Sequence, residues 1–97
     1  MYTSCLVVRC KIEGALSLKD KRMIVKSIKD KLKSKFNLSV AETGEQDKWQ
    51  LGELGMAFAS DSEGGARKEA QSALEYLTEM YDIEIVEHKI TVYNTED

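Results

Sequence analysis

Residues 2 to 12, YTSCLVVRCKI, alternate in polarity. Leu6, Val8, Cys10 and Ile12 share one face and Cys5, Val7, Arg9 and Lys11 the other, as in a strand with one buried side. Gly14 breaks the pattern, and Ser17 with Asp20 three residues on supplies side-chain partners for the free N–H groups of a helix start. Leu18, Val25, Ile28, Leu32 and Phe36 then recur at helical spacing and predict a core stripe about 28 Å long. A short alternating strand at residues 38 to 41 ends in polar TGEQDK, which predicts a hairpin into a third strand at about 49 to 59. That strand directs Leu54, Met56 and Phe58 to one face and Glu53, Gly55, Ala57 and Ala59 to the other. Turn and cap residues from Ser60 to Gly65 precede a second helix with Ala66, Ala70, Ala73, Leu74, Leu77 and Met80 on its apolar face. The last strand, residues 83 to 93, is rich in β-branched side chains, but the neighbours Ile85 and Val86 obscure its inward face.

The order β-α-β-β-α-β, without proline, repeat or linker, predicts two split βαβ units with both helices on one side of an antiparallel sheet. This is an α+β, ferredoxin-like sandwich. A chain of 97 residues suits one such domain, expected at residues 1 to 93, with a polar and mobile tail at 94 to 97. No apolar run approaches the roughly 20 residues needed to span a bilayer, and the alternating N-terminus does not read as a signal peptide, so the expected location is the cytoplasm and no membrane partner is expected. Cys5 and Cys10 fall on opposite faces about 16 Å apart along a strand, which excludes a disulfide between them and leaves them as structural thiols.

Charge adds what polarity alone does not. Residues 17 to 36 hold eight of the fourteen Lys and Arg against Asp20 and Asp30, whereas from Asn37 onward there are fourteen acids and four bases. At about 100° per residue, Lys19, Arg22, Lys26, Lys29 and Lys33 fall within a sector of about 80° on the first helix. Such a row can meet successive phosphates and release their counterions, which makes structured RNA or the ribosome the leading expected partner. The competing reading is a solvated helix face, in which like charges repel. Lys21 points near the core sector, where its stem can lie along apolar surface with its ammonium reaching solvent.

The rest of the chain offers little chemistry. The open sheet face carries Cys5, Val7, Gly55, Ala57 and Ala59 without an aromatic on the two central strands, which disfavours base stacking there and suits contact with another protein layer or a second copy. Trp49 with Gln46 and Asp47 at the hairpin is the candidate partner-binding group, against a purely structural role for the indole. His88 stands alone. No metal-ligand spacing, phosphate loop or nucleophile elbow occurs, so no catalytic residue, metal or cofactor is assigned. An enzyme acting on a phosphorylated small molecule near Glu42, Asp47 and Glu53 is the weakest reading, because no nucleophile and base pair can be named. EGALSLKDKR also lacks the arginine-bearing anion loop of acylphosphatases, which share this element order.

The stretches Gly14 to Arg22 (GALSLKDKR), Phe36 to Glu42 (FNLSVAE), Gln46 to Gln50 (QDKWQ) and Glu53 to Gly55 resemble the YlxP-like family of small bacterial proteins. The resemblance spans almost the whole chain, departs at the glycine-rich SDSEGGARKE, and implies a ferredoxin-like fold of unknown function. It also implies a link to translation, since genes of this family commonly sit near those for translation initiation and ribosome maturation. By resemblance, Ser17, Lys19, Lys21, Arg22, Asn37, Glu42, Gln46, Asp47 and Trp49 are expected to matter.

Overall fold

A computed structural model describes residues 1–96. The elements are β1 (Tyr2–Ile12), α1 (Leu18–Lys35), β2 (Ser39–Gly44), β3 (Leu51–Ser60), α2 (Glu63–Thr78) and β4 (Ile83–Asn94). They form one four-stranded sheet in the order β2-β3-β1-β4, with every neighbouring pair antiparallel. Both helices cover one face, which gives the expected βαββαβ ferredoxin-like sandwich. Contacts run from α1 to β2 and from α2 to β4, β1 and β3, so the helices divide the sheet between them.

Local signals in the sequence set the ends of the helices. The Ser17 hydroxyl accepts from the Asp20 N–H at 3.1 Å, satisfying one free donor of the first turn, and Asp20 reaches back to accept from the Leu16 N–H at 3.1 Å, which ties the chain entering the helix to its first turn. Ser62 caps α2 by accepting from the Gly65 N–H at 3.0 Å, which places Gly64 and Gly65 inside the first turn. Between helices and sheet lie Leu6, Val8, Cys10, Val25, Ile28, Leu32, Leu54, Met56, Phe58, Ala70, Ala73 and Leu77. The alanines on α2 let that helix approach the sheet closely.

β4 explains its own ambiguous pattern. The register with β1 shifts between Arg9 and Cys10, where Glu87 and Ile85 are the partners and Val86 is the extra residue of a bulge. Before the bulge Ile83 and Ile85 face inward, and after it Ile90 does, because the inserted residue changes the parity of the strand. β2 also runs further than expected, taking in Glu42 and then Thr43 and Gly44 from the polar stretch. β4 ends at Asn94, and the Thr95 N–H donates to Met1 O at 3.0 Å; Asp97, the end of the expected tail, lies outside the described residues.

Candidate nucleic-acid interface

The basic block of α1 is divided between an exposed ridge and a buried anchor. Lys19, Arg22, Lys26 and Lys33 are exposed and Lys29 is half-buried, in one row along the helix. Lys26 Nζ lies 3.0 Å from Asp30 Oδ2, one turn on. Its hydrogen bond and charge hold the Asp30 carboxyl below the usual range, helped by Lys33 and Lys29. Lys19, Arg22, Lys29 and Lys33 have no ion-pair partner among the described residues. Among the described residues the ridge therefore keeps four cations outside any ion pair and one that is shared.

Two further cations of the block, Lys31 and Lys35, occupy the opposite flank. There a shallow groove of about 870 Å³ runs between the helices, lined by Met23, Ser27, Lys31, Ser34, Lys35 and Tyr76, and the Lys26–Asp30 pair of the ridge forms its outer border. Lys35 Nζ sits 4.6 Å above the centre of the Tyr76 ring, which in turn meets Phe36 edge-on at 5.7 Å. Lys35 is thereby attached to the protein's own surface. The five-residue row found from helical angles did not include this flank.

Lys21 behaves differently from the expectation of a snorkelling side chain. It is 2% exposed, and its ammonium turns inward to the hairpin between β2 and β3 instead of reaching solvent. Nζ donates to Lys48 O at 2.6 Å and to Glu45 O, and lies 3.0 Å from Glu42 Oε2. Two hydrogen bonds to carbonyls and an adjacent carboxylate that balances the charge lower the cost of burying a lysine, although Glu42 Oε2 itself accepts no hydrogen bond among the described residues. Glu45 adopts a left-handed φ of 60°, and its carboxylate is further held by Lys48 at 3.1 Å and Arg9 at 3.7 Å. Lys21 is the fastener that fixes this turn against the start of α1.

The expected partner-binding residues are placed by that turn. Gln46 Nε2 donates to Glu42 O at 3.0 Å, so its amide is used within the hairpin. Asp47 and Trp49 are exposed, Trp49 at 36%, beside a small cleft lined by residues 47 to 51. Trp49 is on the hairpin and the basic ridge on α1, so the two expected sites occupy different elements.

The sheet face opposite the helices has no layer over it. Its central positions are the small residues Cys5, Gly55 and Ala57 beside Val7, which is 37% exposed. Tyr93, 54% exposed, joins this face from β4 opposite Thr3, a position hidden from sequence reasoning by the bulge.

The Cys10 thiol is not set up as a nucleophile. Cys5 and Cys10 are free, and burial pushes the Cys10 thiol up to about 11 against a smaller opposing effect of the Lys21 charge, with Glu42 raising it further. Among the described residues no group of three or more His, Cys, Asp or Glu could hold a metal ion, and no helix is long and apolar enough to cross a membrane.

Residues 3–90 match the family described as protein of unknown function, DUF503. The chain belongs to that family. It is 40% identical over 75 residues to the uncharacterized protein YlxP of Bacillus subtilis strain 168, covering 77% of this chain and 82% of that one. Among solved structures, it overlays a Bacillus cereus protein provisionally assigned as an antibiotic biosynthesis monooxygenase, covering 99% of this chain and 93% of the other. With a TM-score of 0.46 and 19% identity, that likeness is too distant to bear on chemistry.

Proposed function

We propose that this chain is a non-enzymatic binding module that docks on structured RNA, on or around the ribosome, through the ridge Lys19, Arg22, Lys26, Lys29 and Lys33. The observation that carries the reading is the set of four ridge cations that make no ion pair among the described residues, on a molecule of net charge −3. A like-charged row costs folding energy through mutual repulsion, and an acidic remainder repels phosphate, so together they favour one orientation on a polyanion. The cytoplasm is the compartment this reading requires.

The test is a gel-shift titration against ribosomal RNA fragments for the wild type and the Lys26→Glu/Lys29→Glu double variant. The wild type should bind with a steep salt dependence, and the double variant should lose retention, its salt slope shallower by about two. Equal retention of both proteins removes the ridge from the interface. Affinity capture from lysate with and without nuclease tests the partner class: recovery of ribosomal material only without nuclease supports RNA contact.

A second reading, a protein-interaction module, is favoured by the uncovered small-residue sheet face and by Trp49. Under it, one protein partner survives nuclease digestion and is lost with Trp49→Ala.

A further inference from the structure

The outer edge of β4 is unequally protected. β4 is an edge strand of twelve residues, twice the length of β2 at the other edge. Natural sheets blunt such edges with charges, bulges or proline, because the free N–H and C=O groups otherwise template another strand. The first part of β4 follows this rule: Glu84, Glu87, His88 and Lys89 are exposed and Val86 forms the bulge. The stretch from Ile90 to Asn94, ITVYN, has no charge, no proline and no bulge, and its register with β1 is unbroken.

We infer that this unprotected half of β4 pairs antiparallel with β4 of a second copy of the chain, extending two four-stranded sheets into one of eight. The register follows from symmetry. A two-fold axis normal to the sheet keeps both helix layers on one side and pairs residues that lie on the same face. Centred at His88, the pairing meets the Val86 bulge after Glu87, and centred at Lys89 it sets two like charges against each other. Centred at Ile90 it covers an equal length, Glu87 to Tyr93, but sets the Glu87 carboxylate against the Tyr93 ring and the bulge residue Val86 opposite Asn94.

Centred at Thr91, it runs without interruption over the strand residues His88 to Asn94. Lys89 of one copy then faces the Tyr93 ring of the other twice over, and Ile90 faces Val92 twice on the helix side. No like charges are opposed. Because α1 lies towards the β2 side of each sheet, the dimer leaves both basic ridges free at its two far ends. The inference is independent of the RNA reading.

Sedimentation velocity of the full chain over a concentration series tests it, with Thr91→Lys and Thr91→Glu measured alone and in equimolar mixture. Thr91 is half-buried on the open face, so either charge is accommodated in a monomer, as circular dichroism checks. Across the axis, identical charges would stand about 5 Å apart. The wild type should show a concentration-dependent dimer, each variant should sediment as monomer, and the mixture should recover the dimer as Lys meets Glu. Val7→Glu, in the middle of the open face, separates edge pairing from face-to-face packing and should leave the dimer intact. A wild type that stays monomeric, single variants that still dimerise, a mixture that fails to recover, or loss of the dimer with Val7→Glu would each overturn the inference.

Discussion

Lys21 and Lys26 stand five residues apart in one basic helix and do opposite things. Lys21 is enclosed, with its ammonium divided among two hairpin carbonyls and Glu42, whereas Lys26 stands in solvent with one exposed carboxylate one turn away. A charge surrounded by protein dipoles cannot be removed without leaving them unpaired, while a surface pair exchanges its partner for water at little cost. The lesson is that a block of lysines is not one functional unit. One member fastens the fold, and others remain for a partner.

The largest test of that contrast is Lys21→Ala. It leaves the Glu42 carboxylate and the Glu45 and Lys48 carbonyls without their cation, and a broken buried pair of this kind costs about 3–5 kcal/mol. Urea unfolding should show that loss for Lys21→Ala and a change within about 0.5 kcal/mol for Lys26→Ala. Equal effects would dissolve the distinction between the two lysines. The hairpin should also loosen, with faster amide exchange at residues 45 to 50, since the turn keeps its left-handed Glu45 largely through this anchor.

Much of this arrangement was readable before any coordinates. The cap at Ser17, the turn and cap stretch from Ser60 to Gly65, the inward row of Leu54, Met56 and Phe58, and the element order all follow from periodicity and short-range chemistry, which depend on neighbours along the chain. The fastener was half visible. Lys21 falls in the core sector of α1, and extending the alternation of Leu38 and Val40 by one step puts Glu42 inward too, so opposite charges occupied facing interior positions. What the sequence does not encode locally is where the carbonyls of Glu45 and Lys48 go, because that depends on how the hairpin folds back on the helix. Likewise Ile85 beside Val86 carried the mark of a bulge as a slip in the hydrophobic alternation. Only the pairing with β1 shows that the slip moves Tyr93 to the open face.

A smaller effect extends the contrast to the thiols. The folded pKa of Cys10, about 11, lies above its ordinary 9.0, so the neutral thiol is favoured in the folded state. Its contribution to stability is complete below pH 9 and is lost as pH rises towards 11, because the unfolded chain ionises first; the loss amounts to about 2 kcal/mol. Chemical denaturation at pH 8 and pH 10.5 should show this decline, and Cys10→Ala should remove it after correction for the cavity it leaves. At pH 8 a thiol reagent should modify half-buried Cys5 while Cys10 reacts only on unfolding. Rapid modification of both would mean that the region around Lys21 opens more readily than its hydrogen bonds imply.

The smallest expected change is the most informative about the ridge itself. Asp30 holds Lys26 by an exposed pair, so Asp30→Asn should leave stability nearly unchanged while turning a shared cation into a free one. If phosphate is what the ridge meets, RNA affinity should rise by less than tenfold, and the salt slope should steepen by at most about one, the mark of a single added phosphate contact. Protonation should act in the same direction. The Asp30 carboxyl is held below its usual range, so the pair persists until pH falls through that lowered value, where its small stabilising contribution is lost and Lys26 is released. A substitution that raises affinity without altering the salt slope would place Lys26 outside the contact, leaving Lys19, Arg22, Lys29 and Lys33 to carry it.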